Sequence, residues 1–142
     1  MGEFNHTIDN KNRLIIPSKF RIELEDSVIT RGLDKCLAIY PKSEWDNIVN
    51  KLKSLPFTKS DARNVSRFIF SGASTISFDK MGRITIPSSL SSYANLNKDC
   101  IIIGVNDRLE IWDKTTYDEF ISNNIDNFST MAENLFGGQN EA

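Results

Sequence analysis

Histidine is nearly absent. His6 stands alone, which excludes a histidine-rich metal site and a histidine base repeated between symmetric sites. Cysteine is scarce too: Cys36 and Cys100 lack metal-ligand spacing and lie in apolar, strand-like runs, which reads as two buried free thiols in a reducing compartment. No apolar run approaches the ~18 residues needed to span a membrane, and "CIIIGV" from Cys100 to Val105 reads as a buried strand. The amino terminus, "MGEFNH", has neither a basic nor an apolar region, so no signal peptide is expected. The G-x-x-x-x-G-K-[ST], G-x-G-x-x-G and G-x-S-x-G patterns are all missing. Carboxylates are plentiful, which leaves a glycosidase-like acid/base pair as the weakest of the readings. The expectation is a protein without catalytic turnover that needs no cofactor and no metal.

What is there is a repeat. "IDNKNRLIIPSKF" (Ile8–Phe20) and "FDKMGRITIPSSL" (Phe78–Leu90) share one frame at an offset of 70: Asp9, Arg13, Ile16 and Pro17 fall on Asp79, Arg83, Ile86 and Pro87. After a two-residue insertion in the second copy, "TRGLDKCLAIYPKSEW" matches "IIGVNDRLEIWDKTTY" at an offset of 72. Register kept through strand, turn, strand and helix start marks a tandem duplication of a module of roughly 45 residues. A module of that size makes only a marginal core alone, so the two copies are expected to share one. Residues 3–46 read as the first module, 47–73 as a helical connector, 74–120 as the second module and 121–142 as an acidic, partly disordered tail.

Charge is unevenly spread. The net charge of −2 hides seven acids against Lys114 alone in residues 110–142, which leaves sixteen bases and twelve acids in residues 1–109. A mildly basic body with an acidic tail keeps a polyanionic partner open. The block holding Lys11, Arg13, Lys19 and Arg21 against Asp9 is the densest in base, and the first module therefore reads as the more basic of the two.

In each copy the frame reads as strand, polar tip, strand. The tip runs from Asp9 to Asn12 in the first copy, and Gly82 takes the place of Asn12 in the second. Asn and Gly are the residues best suited to the left-handed backbone such a tip demands. Pro17 and Pro87 suit the first position of a short helix. Strands follow around Val28–Thr30 and Ile101–Ile103, then at "CLAIY" and "RLEIW". Ser43–Asp46 and Thr116–Glu119 have capping-box spacing, and Thr58–Asp61 opens a further helix that Gly72 stops. Ile125, Phe128, Met131 and Leu135 permit a weak amphipathic helix in the tail.

Asp9 and Asp79 stand beside turns, where a carboxylate usually bonds the turn's own backbone. Arg13 and Arg83 are more informative, each just past a tip, with Lys11 beside one and Lys80 beside the other. On one copy alone they would read as a solvated turn; their recurrence favours a function. A protruding β-element with arginine and lysine at its end fits a major groove, where arginine bonds guanine O6 and N7 together.

These stretches, together with "DARNVSRFIFSGAS", make the sequence similar to the MraZ family of bacterial transcriptional regulators over nearly its whole length. The resemblance implies a mainly β fold with flanking helices: an AbrB-like swapped-hairpin barrel built by two tandem SpoVT-AbrB modules in one chain. It implies sequence-specific double-stranded DNA binding at short direct repeats, repression of the protein's own promoter at the head of the division and cell-wall gene cluster, and a cytoplasmic, nucleoid-associated location. It also implies a homo-oligomeric ring of chains in head-to-tail contact. Family DNA contacts fall by position on Lys11 and Arg13, and on Lys80 and Arg83. Asn12 and Met81 depart from the family's D-x-K-G-R pattern, Met81 replacing its lysine. The rival reading is a protein-interaction or antitoxin-like module on the same fold.

Overall fold

The computed structural model describes residues 1–137. The last part of the tail, residues 138–142, where disorder is expected, lies outside them. In chain order the elements are β1 (Gly2–Thr7), β2 (Arg13–Ile15), α1 (Ser18–Arg21) with a 3-10 turn (Ile22–Leu24), β3 (Val28–Arg31), β4 (Leu37–Tyr40), α2 (Lys42–Lys53) and α3 (Ser60–Ser71). The second copy supplies β5 (Ser74–Thr75), β6 (Arg83–Thr85), α4 (Ser88–Tyr93), β7 (Asp99–Val105), β8 (Arg108–Asp113), α5 (Lys114–Asn124) and α6 (Phe128–Phe136).

The strands pair between copies. One antiparallel sheet runs β1-β7-β8-β4-β3-β5, and β2 and β6 form a separate two-stranded ribbon. The first strand of each copy lies against the third strand of the other: β1 pairs β7 from Gly2↔Gly104 to Thr7↔Asp99, and β5 pairs β3 at Ser74 and Thr75. The two outer hairpins meet where β4 pairs β8. The strand order therefore reads the same from both ends, with a pseudo-two-fold axis between β4 and β8. A strand and its neighbour in sequence do not have to pair, and here the tips join strands of different ladders: β1 belongs to the sheet and β2 to the ribbon.

The sheet is open, where a closed barrel was expected. β2 and β6 are only three residues each. Each is stopped by the tip before it and by Pro17 or Pro87 soon after, and proline cannot donate to a ladder.

Sheet and ribbon nevertheless enclose one core. Leu14, Ile16, Ile84 and Ile86 from the ribbon side pack with Ile29, Leu37, Ile39, Ile102 and Ile111 of the sheet. Every one is at most 1% exposed, so the shared core expected from module size is present. Alternation does the sorting: Leu14 and Ile84, paired across the ribbon, point inward, and their neighbours along each strand point outward.

Helix starts differ from the expected ones. Pro17, Pro41 and Pro87 each directly precede a helix, one place before the first helical position expected for Pro17 and Pro87. Ser43 lies inside α2, whose cap position is Pro41, and Thr116 lies inside α5, capped by Asp113. Ser60, not Thr58, begins α3. In the tail, α5 continues to Asn124 and α6 follows after a short break. Gly72 ends α3 as expected, and a side chain there would press on Arg31 and Leu90. β3 anchors the end of α3: the Thr30 hydroxyl donates to the Ile69 carbonyl at 2.6 Å, and Arg31 Nη1 to the Phe68 carbonyl at 2.8 Å. These bonds satisfy carbonyls that a helix end leaves orphaned.

Candidate nucleic-acid interface

Both tips are built alike, atom for atom. In the first, Asp9 Oδ1 accepts from the backbone N–H of Lys11 and of Arg13 at 2.9 Å each, and Oδ2 accepts from Arg13 Nε at 2.7 Å. In the second, Asp79 accepts from Met81 N–H, Arg83 N–H and Arg83 Nε at 2.9, 2.9 and 2.7 Å. The main chain turns back at Asn12 N–H to the Asp9 carbonyl and at Gly82 N–H to the Asp79 carbonyl, both 3.0 Å. Asn12 (φ 59°) and Gly82 (φ 77°) both occupy the left-handed region, as the sequence predicts. The Arg N–H bonds, assisted by the guanidinium, hold both aspartate carboxyls below the usual range.

Each aspartate thus grips the inner edge of its arginine. Among the described residues the terminal Nη groups of Arg13 and Arg83 make no hydrogen bond, and that is the pair of donors a guanine edge requires.

The ribbon places the two arginines together. Arg13 stands opposite Thr85, and Arg83 opposite Ile15. Because Leu14 and Ile84 face the core, Arg13 and Arg83 both lie on the ribbon's outer face, as diagonal neighbours about 7–8 Å apart at Cα. That is roughly two steps of a duplex with ~3.4 Å rise per base. The tips also hold each other: Ile16 N–H donates to the Gly82 carbonyl (3.1 Å) and Ile86 N–H to the Asn12 carbonyl (2.8 Å). Lys11 and Lys80 are exposed at the two turns.

The basic block of the first copy does not stay together. Lys19 Nζ donates to the Met1 carbonyl at 2.9 Å and lies 4.9 Å from the Phe4 ring centre, away from the tip. Arg21 crosses to the other copy. Its Nε donates to the Ile16 carbonyl at 2.8 Å, and its guanidinium covers Gly82 so closely that a Cβ there would collide with it. The second tip is therefore not the less basic one: Lys80 and Arg83 are joined by Arg21 from the first copy. Ser91 holds the place of Arg21 in the second copy, and the tip opposite in that sense carries Asn12. Spacing along the chain could not reveal this contact, since it runs between copies. The only trace is that Gly occurs with Arg and Asn with Ser.

Nothing comparable surrounds the other reactive groups. Burial raises the Cys36 thiol to about 12 and the Cys100 thiol to about 11, which suits inert core residues. Among the described residues no three His, Cys, Asp or Glu side chains gather as metal ligands. None of their helices is long and apolar enough to cross a membrane.

Comparison with known families gives one description twice: "MraZ protein, putative antitoxin-like" matches residues 1–68 and again residues 69–138. The chain belongs to the MraZ family. The matches confirm the tandem repeat, and the MraZ family is one of regulator or antitoxin-like proteins rather than of enzymes. Their shared boundary falls within α3.

Proposed function

We propose that the chain is a sequence-specific DNA-binding regulator whose β2–β6 ribbon enters the major groove. On this reading it represses its own promoter at the head of the division and cell-wall gene cluster, acting in the cytoplasm at the nucleoid. The observation that carries the reading is the pair of aspartate-held arginines on one outer face. A groove about 12 Å wide admits a two-stranded ribbon. Nε bonding to Asp9 or Asp79 fixes the guanidinium plane before DNA arrives, which lowers the entropy lost on contact. Lys11, Lys80 and Arg21 then supply phosphate contacts. The exchange of first strands between copies supports reading the fold as the swapped-hairpin arrangement of the AbrB type.

One chain covers only a few base pairs, and selection of one chromosomal site takes roughly 4–10 kcal/mol over non-specific DNA. Several chains are therefore needed, arrayed head to tail as a ring on short direct repeats.

Titration against DNA from immediately upstream of the gene tests this. Arg13→Ala and Arg83→Ala should each weaken specific binding by ~1–3 kcal/mol per site, to a similar extent because Arg21 supports the second tip. Lys11→Ala should weaken all sequences alike and reduce the salt slope by about one charge. Wild-type affinity in both arginine variants would sink the proposal. The rival antitoxin-like reading draws on the family description; binding to a protein target, insensitive to salt and without any DNA shift, would favour it.

A further inference from the structure

Two helical surfaces remain uncovered, and they carry opposite charge. The first is the groove between α2 and α3. Leu55, Phe57 and Phe70 line it with Lys53, Arg63 and Arg67, and Phe57 is 81% exposed. From Lys51 to Arg67 this region holds five bases (Lys51, Lys53, Lys59, Arg63, Arg67) against Asp61 alone. The second is α6. None of its residues is buried, and Phe128, Met131 and Leu135 recur at spacings of three and four along one face, continued by Phe136. Leu135 and Phe136 are 69% and 66% exposed. α6 carries one charged residue, Glu133, with Asp126 just before it and no base between residues 115 and 137, while Asp118 of α5 is already paired with Lys114 at 3.0 Å.

We propose that α6 of one copy docks in the α2–α3 groove of the next, and that this contact is the joint of the head-to-tail assembly. The proposal specifies the assembly part of the functional reading and does not depend on the DNA contacts. An amphipathic helix in an apolar groove with a rim of opposite charge is a recurring recognition mode. Charge also decides which faces meet. Groove against groove would oppose base to base, and α6 against α6 acid to acid; only the unlike pair is attractive. A chain's own α6 is not the occupant. It is tied to α5 through Phe128 against Phe120 (ring centres 6.3 Å apart), and α5 packs on β7 and β8, whereas α2 and α3 pack on β4 and β3 in the other half of the sheet. When the two faces engage different neighbours the contact is heterologous, and it closes into a ring when the rotation permits.

The test uses full-length chains with exposed residues changed, folding being checked by circular dichroism. Phe57→Glu spoils the groove and keeps α6; Leu135→Glu spoils α6 and keeps the groove. By analytical ultracentrifugation the wild type should sediment as a multimer and each variant as a monomer. Mixing the two variants should give dimers and nothing larger, because only one intact joint can form. A wild-type assembly larger than a dimer, together with dimers from the mixture, is the pair of results that a two-fold exchange of α6 helices cannot produce. A wild-type chain that stays monomeric at every concentration, an unchanged multimer in either variant, or a mixture that remains monomeric would each overturn the proposal. Lys11, Arg13, Lys80 and Arg83 are intact in both variants, so non-specific DNA binding by the monomers reports on the functional reading separately.

Discussion

Asp9 and Asp79 each close a turn with one oxygen and hold an arginine with the other, so the ionised form is the one the fold uses. With the folded pKa below the ordinary 3.8, their contribution is complete above the unfolded value and disappears as pH falls through the folded one. Urea melts at stepped pH should show Asp79→Asn flattening the acid limb of stability below about pH 4; an unaltered limb would mean the carboxylate is not so held. The contact between Arg21 and Gly82 makes a second residue-level prediction. Gly82→Asn keeps a residue that tolerates positive φ but makes the Arg21 guanidinium swing away and give up its bond to the Ile16 carbonyl, at a cost of ~0.5–1.5 kcal/mol. Adding Arg21→Ser, which copies the other tip's pairing of Asn12 with Ser91, should recover most of it. A double-mutant cycle by denaturation measures the coupling, and simple additivity would refute it.

Elements were read from the sequence with uneven success, for identifiable reasons. Tips, strands and the C-terminal end of α3 were legible because Asn12, Gly82 and Gly72 have conformational meanings that neighbours rarely override. Caps were not, because the pattern of Ser or Thr followed by an acid fits several frames. The choice fell to Pro41, and to Asp113, whose buried carboxylate accepts from Thr116 N–H at 3.2 Å and from Asn97 N–H at 3.0 Å. Asp113 consequently joins the start of α5 to the loop before β7. Asp113→Ala should destabilise the chain by ~1–3 kcal/mol, since it leaves buried donors unpaired. Thermal melts check this, and a loss of only a few tenths would show that water replaces the carboxylate. Strand partners were illegible for another reason: alternation tells which face of a strand is buried and is silent on which strand lies beside it.

On the scale of the whole molecule, the exchange of first strands means that neither half has a complete set of neighbours. A fragment ending at residue 73 keeps β1, β2, β3 and β4 but loses β7, β6, β5 and β8, which pair with them. It should be unfolded or, by pairing with itself, dimeric. Circular dichroism and size measured over a dilution series decide, and a folded monomeric half would contradict the shared core. Such a self-paired half would also present two identical tips, and identical tips related by a two-fold axis have no front or back. The natural chain differs: Lys11 and Asn12 mark one tip, Met81, Gly82 and the borrowed Arg21 the other. Covalent fusion allows the two to differ, which gives the ribbon's outer face a polarity. On the proposed reading, such a chain would distinguish the two directions along a duplex, and copies laid on successive repeats would all point the same way.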